Sequence, residues 1–128
     1  MNQETAKPLV ELIDSTLRKL NFRLLEAGDR GDAWEYVWGA SAPQAGKDRY
    51  VVVAVLPVEL HSLSLEVWAG ADNGSRYERH LIRALAGIRP EDLMSDIVVE
   101  TILAAAKAAA RRAVILSESS LANSRLRQ

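Results

Sequence analysis

Residues 63–85, "LSLEVWAGADNGSRYERHLIRAL", decide the fold, because they read either as a β-hairpin or as a strand followed by a short helix. Asn73-Gly74 is the favoured centre of a type I′ turn, since both central positions take positive φ. Pairing outward from that two-residue turn sets Ala69 opposite Glu78, Val67 opposite His80, Leu65 opposite Ile82 and Leu63 opposite Ala84, a mostly apolar face. The other face sets Trp68 opposite Arg79, Glu66 opposite Leu81 and Ser64 opposite Arg83, with Tyr77 as a second aromatic. The competing helix would end at a Gly87 cap before Pro90. The hairpin gives two chemically distinct faces in one register, and that consistency favours it.

The hairpin extends a series of strands. "NFRLLEAG" and "AWEYVWGA" flank the turn sequence "GDRGD", and "RYVVVAVLP" is β-branched enough for a central strand. In "AWEYVWGA" the aromatics Trp34, Tyr36 and Trp38 alternate with Glu35 and Val37, so the bulky side chains share one face, directed at helices rather than at a ligand. Residues 5–20 precede these strands as a helix with Val10, Ile13, Leu17 and Leu20 on one stripe and Pro8 in the first turn. After Pro90, with Glu91 and Asp92 where a helix dipole favours acids, residues 91–117 form a long helix. Its polar stripe, Asp96, Glu100, Lys107 and Arg111, is narrow, and the alanines between 104 and 110 invite a close second packing partner. A homodimer through this helix is one use for them, and a contact with the first helix is the other. The tail is 118–128. The expected fold is a two-layer α+β domain: an antiparallel five-stranded meander (about 22–27, 33–39, 49–57, 61–71 and 75–85) with both helices on one face.

A chain of 128 residues with 48% hydrophobic and 26% charged residues is one globular domain that needs no staple. A net charge of −1 argues against a surface built to neutralise phosphates. Cysteine is absent, which removes thiolate chemistry and fits a reducing compartment. The first twenty residues carry charges through their apolar positions, unlike an export signal, and residues 97–116 are interrupted by Glu100, Lys107, Arg111 and Arg112, unlike a membrane span. The expected location is the cytoplasm.

Few residues have the spacing of a chemical site. His61 and His80 join no ligand cluster, and Asp92 and Asp96 stand at a helix start where capping explains acids. There is no nucleophile elbow, phosphate loop or dinucleotide fingerprint, so no catalytic, metal or cofactor residue is assigned. Arg30-Gly31-Asp32 and Asn73-Gly74-Ser75 spell adhesion and glycosylation motifs but consist of residues that turns require. The remaining set is Trp68, Tyr77, Arg79 and Arg83, expected on one hairpin face, where aromatics and guanidinium groups could stack against a partner. A solvated sheet face with an internal cation–π contact is the alternative.

The element order, and the look of "HLIRALAGIRPEDLMSDIVVETILAAA" in particular, resembles the YbjN-like and type III secretion chaperone-like proteins. That resemblance implies a small α/β dimer that binds unfolded or extended partner segments and is not an enzyme. The family's helix between the third strand and the last hairpin is missing, since "PVELHS" is too short to supply it, and no functional residue carries over. The expectation is a non-enzymatic, chaperone-like binding module holding a protein segment on a sheet face or groove. The alternatives are a small-molecule or enzymatic domain with a pocket between sheet and helices, with His80 or Tyr36 contributing, and a nucleic-acid binder.

Overall fold

A computed structural model describes residues 3–41, 49–57, 62–72 and 77–126, with side chains described for 6–40, 51–57, 62–70 and 79–115. Helix α1 (Gln3–Arg18) leads into β1 (Arg23–Asp29), β2 (Ala33–Ser41), β3 (Arg49–Pro57), β4 (Leu63–Asp72) and β5 (Tyr77–Ile88). A 3₁₀ turn (Pro90–Asp92) then precedes α2 (Asp96–Leu126). The five strands form one antiparallel meander in chain order, as the alternation of apolar residues predicts. Both helices cover the same face.

The aromatic stripe points into the core. Trp38 has no exposed surface, Tyr36 is buried and Trp34 is half-buried. In register, Trp38 pairs with Val52 and Tyr36 with Ala54, and these pair in turn with Ala69 and Val67. The helix-facing surface of β2, β3 and β4 therefore consists of even, even and odd positions, with Tyr36, Trp38, Val52, Ala54, Leu56, Leu63, Leu65, Val67 and Ala69 in one buried cluster. Leu9, Ile13 and Leu17 of α1 join it, as do Ile102, Ala106, Ala109 and Ala113 of α2. One polar tie crosses the layers: Trp38 Nε1 donates to Asp14 Oδ1 at 2.9 Å, and Asp14 also pairs with Arg18 at 3.0 Å.

The alanines of α2 are used within the chain. Ala105, Ala106, Ala109, Ala110 and Ala113 are buried where α2 lies along α1 and over β3 and β4. Small side chains allow that doubly packed helix to approach both layers. Of the two uses expected for the alanines, the internal one is realised, while Ala104 stays exposed.

Several boundaries differ from the sequence expectation, each for a local reason. Helix α1 stops at Arg18 because Asn21 takes φ 67°, the Phe22 N–H donates to the Leu17 carbonyl at 2.9 Å, and the Asn21 N–H donates to Arg18 at 3.1 Å. This is a Schellman cap, with asparagine in the place usual for glycine. Pro8 falls in the second turn rather than the first, so the Glu4 carbonyl loses its intrahelical donor. At the other helix, Pro90–Asp92 form only a 3₁₀ turn, and Ser95 caps α2 by accepting the Val98 N–H at 3.4 Å. The buried Leu93 between them separates the two turns.

The Asn21 cap carries a test. Asn21→Val, which puts a β-branched residue at positive φ, is expected to lower unfolding free energy by about 1–2 kcal/mol, whereas Asn21→Gly leaves it unchanged or slightly raised. Urea unfolding of both variants checks this, and equal losses would refute the cap's role.

The hairpin register also differs. Asp72 pairs with Tyr77 and Ala69 with His80, so four residues, 73–76, separate the strands instead of the two of a turn closed on Asn73-Gly74. Those four lie outside the described residues. A second difference arises further along, where Trp68 pairs with Leu81 but Val67 pairs with Arg83. The extra residue is a β-bulge, which exchanges the faces of β5 as far as Leu85, and a second shift between Leu85 and Ile88 returns Ile88 to the helix side.

The two sheet edges are β1 and β5. Every residue of β1 is exposed, Leu24 and Leu25 included, and β1 carries its own bulge between Leu24 and Glu26. On β5, Arg79 and Arg83 add charge. Bulges and charges are common means of keeping edge strands from pairing with other chains.

Candidate functional site

The helix-free face is built from the alternate positions of the same strands. From β2 it takes Glu35 and Val37, from β3 Val51, Val53 and Val55, and from β4 Glu66 and Trp68. Before the bulge, β5 adds Arg79 and Leu81. Val53, between Val37 and Trp68 in register, is fully buried. Trp68, Val37 and Val55 are half-buried, and Leu81 is 47% exposed.

Trp68 is held from two sides. Its Nε1 donates to Glu66 Oε1 at 3.1 Å, two residues along the same strand and on the same face. The Arg79 guanidinium lies 5.3 Å from the ring centroid, within cation–π range. Arg79 continues across the sheet to Glu35 Oε1 at 3.7 Å, while Arg30 approaches Glu35 Oε2 at 2.6 Å as a charge contact without an aligned hydrogen bond. Glu35 therefore sits between two guanidinium groups. The outcome is a half-dry plate of indole and guanidinium over valines, with an exposed leucine beside it. Such a plate presents apolar area and a flat cation.

Of the four residues expected to act together, Trp68 and Arg79 meet. Tyr77 pairs with Asp72 in backbone register, and its side chain lies outside the described residues. Arg83 does not join them. The bulge places it opposite Val67, on the helix side, where it lines an open groove of about 440 Å³ with Ile82, Glu100, Thr101, Ala104, Ala105 and Ala108. Glu35, an acid on this face, pairs with Arg79. Its signal in the sequence is its place in "AWEYVWGA", where alternation puts it on the face opposite the aromatics.

His80 is exposed on the edge strand, and His61 lies outside the described residues. Tyr36 stacks on Trp38 with ring centroids 6.2 Å apart, inside the layer. Among the described residues no group of three His, Asp or Glu could hold a metal ion, and no helix is long and apolar enough to cross a membrane. No protein-family model, curated protein or solved structure matches the chain.

Proposed function

We propose that the protein is a chaperone-like binding module that holds an extended, largely apolar segment of a partner protein on the helix-free face of its sheet. The observation that carries this reading is the Trp68–Arg79 plate, with Leu81 exposed beside it on a face that no helix covers. A partner side chain placed against Trp68, Val55 and Leu81 would remove apolar surface from water. The Arg79 guanidinium, already stacked, would form a polar rim without further ordering. Glu35 and Glu66 fix the two groups beforehand, so the plate needs little rearrangement to bind. Nothing in this reading requires a cofactor.

The test uses an array of extended peptides, followed by fluorescence anisotropy on the tightest binders. Trp68→Ala with Arg79→Ala is expected to weaken binding about tenfold or more, the loss of roughly 1.4 kcal/mol or more. Trp68 also contributes packing, so Leu81→Asp serves as the companion variant: about half of its side chain is exposed, and it should weaken binding with a much smaller shift of the melting curve than Trp68→Ala. Unchanged affinities in both variants would exclude this face.

A further inference from the structure

The outward side of α2 carries a second pattern, on the layer opposite the proposed binding face. Ile97 is 78% exposed and Ile115 is 49% exposed, unusual values for isoleucine on a soluble helix. Between them Thr101, Ala104, Ala108 and Arg111 continue the line at alternating steps of four and three residues, the seam spacing of a helix that packs against another helix. All six are exposed or half-buried. The Thr101 hydroxyl donates to the Ile97 carbonyl at 2.7 Å, so its polar group is already engaged by the helix backbone.

The seam is symmetric. Ala104 and Ala108 stand two residues to either side of Ala106, Thr101 and Arg111 five, and Ile97 and Ile115 nine. Two such helices laid antiparallel about a two-fold axis level with Ala106 would pair each Ile97 with the other copy's Ile115. Alanines would meet alanines at the centre, where close approach is possible. The charges agree with the same register: Glu100 on the flank of one helix comes within one residue step of Arg111 of the other, twice by symmetry. Antiparallel packing also sets opposite helix dipoles side by side. The groove between α2 and β5, walled by Ile82 and Arg83, runs along the Thr101–Ala104–Ala108 side of this seam and is open to side chains of a second helix. Both sheet edges, in contrast, are bulged, and β5 carries three basic or imidazole side chains along its edge.

We infer that the occupant of this face is a second copy of the chain, with α2 packed antiparallel on α2 through Ile97, Ala104, Ala108 and Ile115 and with reciprocal Glu100–Arg111 ion pairs. The seam covers eighteen residue steps, roughly 27 Å at the α-helical rise, the length of a short coiled coil. Two copies joined in this way present their helix-free sheet faces outward in opposite directions.

Sedimentation of the intact chain at about 100 μM, where a dimer with micromolar affinity is saturated, should give twice the chain mass of 14.1 kDa. Ile97→Lys with Ile115→Lys should sediment at the single-chain mass with an unchanged circular dichroism spectrum, both side chains being solvent-exposed in the single chain. Glu100→Arg alone sets cations face to face and should weaken the dimer at least tenfold, and adding Arg111→Glu should restore it. Direction is read separately in this cysteine-free chain. An Ala104→Cys preparation mixed with an Ala108→Cys preparation should cross-link on oxidation, and neither should do so alone. A single-chain mass for the unaltered protein would leave the face to solvent or another partner and overturn the inference. A dimer that survives the double isoleucine change, or a cross-link within the Ala104→Cys preparation alone, would overturn it equally.

Discussion

Trp38→Ala is expected to remove about 3–5 kcal/mol of stability, the range for truncating a large aromatic side chain in a core. Domains of this size are stable by about 5–15 kcal/mol in total, so the variant should be marginal at room temperature or unfolded above it. The side chain has no exposed surface, stacks on Tyr36 and is the donor that ties the sheet to Asp14 of α1. Truncation therefore opens a cavity between the layers and also removes the polar link between them. Trp38→Phe separates the two effects. It keeps most of the ring volume, and Asp14 keeps Arg18, so its cost should be about 1–2 kcal/mol. Urea unfolding followed by circular dichroism measures both. A loss below about 1 kcal/mol for the alanine variant would contradict the placement of this residue at the layer interface.

Ala109→Leu should also be strongly destabilising, for the opposite reason. Ala109 is completely buried in the cluster that joins α2 to the sheet and α1, and three added carbon atoms have no space to enter. Overpacking of this kind typically costs about 1–3 kcal/mol, even though leucine and alanine differ little in helix propensity. The control is Lys107→Ala, two residues away on the exposed side of the same helix, which should stay within about 0.5 kcal/mol of the parent. If Ala109→Leu is as neutral as the control, the alanine-rich side of α2 does not face the core.

Much of the architecture was legible because strand and helix periods differ. "AWEYVWGA" alternates with period two, and its aromatics are buried on the face that alternation assigns. "RYVVVAVLP" is rich in β-branched residues on both faces, and Val51–Ala54 are buried throughout. The candidate site was legible only in part. Trp68 and Arg79 could be placed on one face from the hairpin alone, since both precede the bulge on their pairing path. Arg83 could not. A single extra residue after Leu81 reverses the side chains of β5 from Arg83 to Leu85, a second irregularity before Ile88 restores them, and no composition rule marks where a strand takes a bulge. The helix ends were missed similarly: Asn21 at positive φ and Ser95 as a cap are ordinary surface residues until the chain direction around them is known.

The sequence by itself determined the element order, the meander and the face to which the aromatic stripe belongs, because these follow from local periodicity and turn chemistry. The exposed seam along α2 was not legible in it, because which side of that helix stays outside depends on what the helix packs against. Tertiary structure alone decided which alanines are spent inside the chain, that Glu35 and Arg30 complete the charge network around Arg79, and that Arg83 belongs to a different surface. Those outcomes depend on strand register and on where two helices settle over a sheet. Both are fixed by the packing of residues far apart in the chain, which no short window of sequence contains.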